Sequence, residues 1–189
     1  MGTIGIIVAA GGSRRMGQPK ALLPLEGSTL LGVHLAGLAG QVDRRRVVLG
    51  SAAEAIAATL PPGVERVDNL DWARGHLGDS LALALAGLHD DDRVLFTPID
   101  APPAPPSLIA ALLAASGPAV ASFQGQRGHP VAFRVGAVRP HLPAARLDQL
   151  LLGATPIEGA DPSLLLNLND PATWADWLAA RPPRRAAAP

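Results

Sequence analysis

Ile4-Gly5-Ile6-Ile7-Val8-Ala9-Ala10-Gly11-Gly12-Ser13-Arg14-Arg15-Met16-Gly17-Gln18-Pro19-Lys20 decides the fold. Ile4 to Ala9 is a short, continuous run rich in β-branched residues, the signature of a central strand buried on both faces. It ends in a glycine pair and opens into a polar loop. Glycines let backbone amides approach phosphate oxygens closely. Arg15 and Lys20 add fixed positive charge, and each charge pair at about 4 Å contributes ~4 kcal/mol in a partly solvated site. Two other phosphate-binding patterns fail here. A P-loop requires Gly, four residues, then Gly-Lys-Ser/Thr; Gly12 and Gly17 have that spacing, but Gln18 stands where the lysine belongs. A dinucleotide fingerprint requires Gly-x-Gly-x-x-Gly, which Gly11, Gly12 and Gly17 do not form.

Downstream, apolar patterns alternate in type. Thr29 to Leu38 predicts a helix capped by Ser28, Arg46 to Leu49 a strand, and Ala52 to Leu60 a helix stopped by Pro61-Pro62. Val64 to Val67 is the next strand. Asn69 to Gly78 is a loop, Ser80 to Leu88 a helix, and Val94 to Thr97 a strand running into Pro98-Ile99-Asp100-Ala101-Pro102-Pro103. Ser107 to Ala115 is helical. Ala119 to Phe123 and Val131 to Val135 are two strands around Gln124 to Pro130. Arg146 to Leu152 reads as helix, Leu164 to Leu168 as a last strand and Pro171 to Ala180 as a last helix. Strands alternating with short helices mean an α/β domain with a largely parallel sheet, whose ligands sit at the C-terminal strand ends. Gly11, Asp100 and Asn169 each follow a predicted strand, so the topology places them on one side. Residues 1–180 read as a single domain, and the Pro/Arg/Ala-rich tail 181–189 as disordered.

Composition narrows the function. The formal net charge is zero, so nothing favours nucleic acid over a small ligand. No stretch approaches the roughly 20 apolar residues that span a bilayer, and the N-terminus lacks the pattern of a signal peptide. The absence of cysteine excludes disulfides, thiolate zinc sites and cysteine nucleophiles, and fits a cytoplasmic protein. Lys20 is the only lysine among sixteen basic residues, in a chain whose other cations are all arginine. Lysine is a compact point charge and arginine a planar fork, so a site that keeps lysine is worth marking.

The loop resembles that of the MobA-like nucleotidyltransferases, whose signature is Ala-Ala-Gly-x-Ser-x-Arg-Met-Gly-x-x-Lys. The resemblance extends along the chain through Gln18-Pro19-Lys20-Ala21-Leu22-Leu23-Pro24 and Asn69-Leu70-Asp71-Trp72-Ala73-Arg74-Gly75 with Ser80-Leu81. It continues through Pro98-Ile99-Asp100-Ala101-Pro102, Gly125-Gln126-Arg127-Gly128-His129-Pro130 and Asn167-Leu168-Asn169-Asp170-Pro171. Each match is weak alone, and five in the right order are strong. The resemblance implies a three-layer α/β/α Rossmann-like domain with a mostly parallel mixed sheet. It further implies Mg²⁺-dependent transfer of a nucleotide from an NTP to a small phosphorylated acceptor such as molybdopterin. A molybdoenzyme or its chaperone is then the implied protein partner.

By the same resemblance, Ala9, Ala10, Gly11, Gly12, Ser13, Gly75 and Ser80 contact the nucleotide. Arg15 and Lys20 hold the triphosphate, Asp100 and Asn169 hold the metal, and His129 and Asn167 face the acceptor. Asp100 suits Mg²⁺, which takes few carboxylates together with phosphates and waters, although an Asp can also simply open a turn before proline. Asn169 can likewise cap the last helix, and His129 can merely shape its turn. Ala9-Ala10-Gly11 resembles the cytidylyl branch that makes molybdopterin cytosine dinucleotide, whereas the Asn167-x-Asn169 ending leans to the guanylyl branch. The family's Gly-Asp-x-Gly-Ala-Arg stretch is reduced here to Ala145-Arg146. A nucleotide-binding module without catalysis and an oxidoreductase on a dinucleotide fold remain as readings from other classes, the second disfavoured by the missing fingerprint.

Overall fold

The computed structural model describes residues 1–181; the predicted tail beyond Arg181 lies outside the described residues. Strand β1 (Thr3–Ala9) leads through the Gly-rich loop to a 3₁₀ turn at Lys20–Leu22. A small hairpin, β2 (Pro24–Leu25) and β3 (Ser28–Thr29), opens into α1 (Leu30–Leu38). Next come β4 (Arg44–Leu49), α2 (Ala53–Ala57), β5 (Val64–Asp68), α3 (Leu77–Leu85), β6 (Arg93–Pro98) and α4 (Pro106–Ala114). The hairpin β7 (Ala119–Phe123) and β8 (Gln126–Arg134) precedes α5 (Val135–Val138), α6 (Leu147–Leu150), β9 (Thr155–Glu158) and α7 (Pro171–Ala180).

Among the described residues, seven strands form the main sheet in the order β5-β4-β1-β6-β8-β7-β9. All share one direction except β8, which runs against both β6 and β7. The chain winds outward from β1 through β4 to β5, then crosses back to lay β6 on the other side of β1. That reversal of strand order opens a crevice between the C-terminal ends of β1 and β6, where Val8 lies opposite Pro98. The Gly-rich loop and Asp100 leave the sheet at this crevice.

Alternation along the strands divides the core. Ile7, Ala9, Val47, Leu49 and Leu95 face α1, α4 and α7, where Leu35, Leu112, Trp174 and Trp177 complete one cluster. Ile4, Ile6, Val8, Val48, Val94 and Phe96 face α3 and α5, where Leu81, Leu85 and Val135 complete the other. Each fully buried Leu, Ile or Phe contributes about 2 kcal/mol by leaving water. Two buried guanidinium groups tie helix ends to the sheet: Arg46 Nη1 donates to the Ala86 carbonyl at 2.9 Å, and Arg93 Nη2 to the Leu112 carbonyl at 2.8 Å. They satisfy carbonyls left without partners where α3 and α4 end.

Several sequence expectations need correction. Leu164 to Leu168 is not a strand: Pro162–Leu165 is a 3₁₀ turn, and the sheet position is taken by Thr155–Glu158, which pairs with β7. Pro156 hides that strand in the sequence, because proline is tolerated only at sheet edges, where β9 lies. Thr29, not Ser28, caps α1, accepting from the Gly32 amide. Helix α3 starts at Leu77, three residues earlier than Ser80, on a His76–Asp79 capping box. Ala52 is left-handed (φ 56) and α2 ends at Ala57. The β7–β8 turn tightens to Gln124-Gly125, with φ of 50 and 77, so β8 already includes His129. Val135 opens α5, and α6 covers only Leu147–Leu150.

Gly50, just after β4, marks the tightest packing beneath the loop. A Cβ there would come 2.5 Å from the Ala10 carbonyl oxygen and 2.6 Å from Trp72 Cβ. Neither atom can rotate away. Gly50→Ala is therefore expected to cost about 2 kcal/mol, lowering the thermal midpoint by about 5 °C in a melting experiment.

Candidate functional site

The Gly-rich loop is closed by one residue. Ser13 adopts a left-handed backbone (φ 47), and its carbonyl accepts from the Met16 amide at 3.0 Å and the Gly17 amide at 3.1 Å. Its hydroxyl accepts from the Lys20 amide at 3.1 Å. Met16 is buried and pins the loop to the core, while Gly11, Gly12 and Arg15 stay exposed. The Ala10 carbonyl is taken by the Ser51 amide at 3.1 Å. Ala9 turns its side chain into the core, so it offers the site backbone only.

Lys20 lies at the centre. Its side chain is 10% exposed, and its ammonium donates to Asn169 Oδ1 at 2.6 Å and to Asp100 Oδ2 at 3.3 Å. Three segments far apart in sequence thus meet on one charge. Asp100 is presented by a tight turn in which the Ala101 amide donates to the Pro98 carbonyl at 3.1 Å. The Leu168 amide donates to the Asp100 carbonyl at 2.7 Å, which brings Asn169 alongside without any strand. Asp170, not Asn169, caps α7, accepting from the Thr173 amide at 2.9 Å. The Asn169 side chain is left for the site.

Across the crevice, Asn69 is buried and organises the opposite wall. Its Oδ1 accepts from the Asp71 amide at 3.0 Å, and its Nδ2 donates to Ser80 Oγ at 2.9 Å. Between the walls lies a cleft of about 240 Å³ lined by Gly11, Ser13, Lys20, Trp72, Gly75, Ser80 and Asp100. The structure therefore brings together the loop, Gly75, Ser80 and Asp100. Arg15 is exposed and stands outside the lining; Asp170 is held below the ordinary carboxylate range mainly by the Thr173 amide, and Arg15 adds to that. Gly12 lies under Trp72: a Cβ there would come 3.1 Å from the ring. His129 and Asn167 line a second cavity of about 220 Å³ with Arg127, Leu151 and Leu164. His129 sits on β8 beside the exit of β6, its ring edge-on to Phe96 at 6.2 Å. Burial lowers its pKa, against the pull of Asp100.

Sequence reasoning missed His76 and Leu77 as lining residues, because histidine is an unusual helix cap and α3 was placed too late. It also missed His34, whose only sequence signal was a polar residue on the apolar face of α1.

A match to the MobA-like NTP transferase domain covers residues 5–155. The chain belongs to that family. In this MobA-like chain the Gly-rich loop and Asp100 both line the cleft beside β1 and β6. The chain is 33% identical over 150 residues to a protein named nicotine blue oxidoreductase from Paenarthrobacter nicotinovorans, covering 72% of each chain. It is 34% identical over 153 residues to molybdenum cofactor guanylyltransferase of Acidiphilium cryptum (strain JF-5), covering 80% of this chain and 74% of the relative. The crystal structure of Rv0371c from Mycobacterium tuberculosis H37Rv superposes with a TM-score of 0.76 at 25% identity, covering 95% of this chain and 99% of that one. A complex of that protein with manganese superposes at 0.74 and 23% identity, with the same coverage. No helix among the described residues of this MobA-like protein is long and apolar enough to cross a membrane.

The site also predicts an acid response. His34 on α1 is 5% exposed and its Nε2 donates to the Ala101 carbonyl at 2.9 Å. Burial pushes its pKa down from 6.5 to about 4, outweighing the Ala101 bond and the Asp100 charge. Above pH 6.5 the imidazole is neutral in both folded and unfolded chains and its contribution is fully present. As pH falls from 6.5 toward 4 the unfolded chain takes up a proton that the folded chain refuses, so about 3 kcal/mol is lost. Melting temperature is expected to fall across that window, and His34→Gln to remove most of the slope.

Proposed function

We propose that this protein transfers a nucleotide from an NTP to a small phosphorylated acceptor, with molybdopterin as the leading candidate, and releases pyrophosphate. The observation that carries the reading is the meeting of Lys20, Asp100 and Asn169 at the mouth of the Gly-rich loop. In this reading the exposed backbone at Gly11 and Gly12 approaches the phosphates, and the Lys20 ammonium offsets their charge as the α-phosphate becomes crowded. Arg15 closes over the outer phosphates from the rim. Gly75, Ser80 and Trp72 form the wall that receives the base and ribose. An oxygen of the acceptor phosphate attacks the α-phosphorus, the bond to the β-phosphate breaks, and pyrophosphate carries away the negative charge. No covalent enzyme intermediate is needed, so positioning and electrostatics supply the rate.

The donor set fits magnesium. Asp100 Oδ2 and Asn169 Oδ1 are hard oxygens that already converge on one cation, the Lys20 ammonium. Among the described residues no group of three or more His, Cys, Asp or Glu forms a self-sufficient metal cage. Magnesium held by one carboxylate and one amide, its shell completed by phosphate oxygens and water, matches that sparse supply. Bound there, it would offset charge on the phosphates.

Two nucleotides are consistent with this reading. Ala9-Ala10-Gly11 favours CTP, while the Asn167-x-Asn169 ending and the similarity to a molybdenum cofactor guanylyltransferase favour GTP at least as strongly. The similarity to a protein named nicotine blue oxidoreductase supports a redox reading, which the absent dinucleotide fingerprint argues against. Incubation with each NTP, Mg²⁺ and molybdopterin, followed by assay of pyrophosphate and dinucleotide, separates these readings. NAD binding without turnover of any NTP would support the redox reading instead. Lys20→Ala and Asp100→Ala are each expected to lower turnover by about a hundred- to a thousandfold. Near-normal rates in either variant would remove that residue from the site.

A further inference from the structure

Asp100 matters only if its carboxylate is held where it can share the Lys20 ammonium with Asn169, and its turn has few means of being held. Pro102 and Pro103 follow directly and have no amide hydrogen to donate. Besides the bond within the turn from the Ala101 amide to the Pro98 carbonyl, the backbone is pinned to its surroundings at three points: the Ile99 amide donates to the Val8 carbonyl at 3.0 Å, the Leu168 amide to the Asp100 carbonyl at 2.7 Å, and His34 Nε2 to the Ala101 carbonyl at 2.9 Å. Only the last of these comes from a side chain.

The helix carrying that side chain is itself tied to Lys20. The Leu30 amide at the start of α1 donates to the Leu23 carbonyl at 2.8 Å, and the Leu23 amide donates to the Lys20 carbonyl at 3.1 Å. Helix α1 therefore holds the Lys20 turn at one end and, from its middle, the Asp100 turn. A carbonyl can only accept, so Nε2 must carry a proton; burial is what keeps the ring neutral. Core packing alone does not account for the residue. Burial drives the imidazole pKa down to about 4, a desolvation cost that leucine at the same place would avoid.

We infer that His34 is a positioning residue that sets the Asp100 carboxylate at its working distance from the Lys20 ammonium, with α1 as the rigid spacer between them. The inference rests on the reading of Asp100 and Asn169 as the metal-holding pair. His34 touches neither substrate nor metal. It acts through the Ala101 carbonyl, as outer-shell groups do when they orient a ligating carboxylate.

The test compares His34→Leu, which fills the space without the bond, with His34→Gln, whose terminal amide can replace the Nε2 hydrogen. The readouts are the thermal midpoint, nucleotide affinity without metal, Mn²⁺ affinity with nucleotide present (from the free Mn²⁺ resonance signal), and kcat beside KM. His34→Leu is expected to bind nucleotide without metal as the native protein does, and to lose about tenfold or more in Mn²⁺ affinity and kcat. His34→Gln should recover most of both. Should His34→Leu not fold, His34→Asn, whose amide is too short to reach Ala101, carries the same comparison. Unchanged Mn²⁺ affinity and kcat in a folded His34→Leu or His34→Asn would overturn the positioning role while leaving the nucleotidyl reading in place. Failure of His34→Gln to recover what His34→Leu loses would likewise overturn it. Failure of the native protein to bind Mn²⁺ with any nucleotide would remove the metal-site reading, and this inference with it.

Discussion

A single buried ammonium group organises the business end of this molecule. Lys20 is enclosed by protein and is compensated by one carboxylate and one amide oxygen, from Asp100 and Asn169. Burying a cation is costly unless its partners are close and well placed. The three segments that carry these groups are consequently not free to drift: the loop after β1, the turn after β6 and the lead-in to α7 must arrive together. The supporting bonds follow from that requirement. Ser13 closes the loop on the Lys20 amide, and the Leu168 amide fastens the approach to α7 onto Asp100.

The sheet makes that convergence possible. Because the chain reverses its winding at β1, two C-terminal strand ends open side by side with no crossover between them. The loop and the Asp100 turn then face each other across the gap. The far wall depends on Asn69, whose one amide group both shapes the Trp72 loop and fastens the first turn of α3 through Ser80. Trp72 covers Gly12 and packs on Gly50, so the shape of the Gly-rich loop depends on residues that reach it from two other connections.

How much of this was legible follows from the kind of signal each part carries. Ile4 to Ala9 reads as a buried strand because every position but Gly5 is apolar, and Pro171 to Ala180 reads as a helix because a proline stands in its first turn. Leu164 to Leu168 misleads: it is an apolar run broken only by Asn167, as a buried strand can be, and Leu164 and Leu168 are indeed buried. That burial comes from packing a 3₁₀ turn and the residues just after it, without a ladder. Thr155–Glu158 carries the ladder with little apolar content, since an edge strand needs only one good neighbour. The candidate site was legible as a set of residues, because loop, Asp100 and Asn169 each sit in an unusual string. Its mutual geometry was not, since the 2.6 Å contact between Lys20 and Asn169 spans 149 positions. Little local marks His34 beyond its place as a polar residue on the apolar face of α1; its role shows only when α1 is laid against the Ala101 carbonyl.

The one reversed strand has an evolutionary consequence. The main-sheet strands up to Asp100 are all parallel, and β1 and β6 converge on the Gly-rich loop. The cavity with His129 and Asn167 is built after β6, on β8 and the turns hung from the sheet's edge. Those later segments touch the clamp at few points, chiefly through Leu168 and Asn169. Mutation can therefore remodel the second cavity while the meeting of Lys20, Asp100 and Asn169 is inherited unchanged, so a lineage built on this architecture is free to vary one cavity and keep the other.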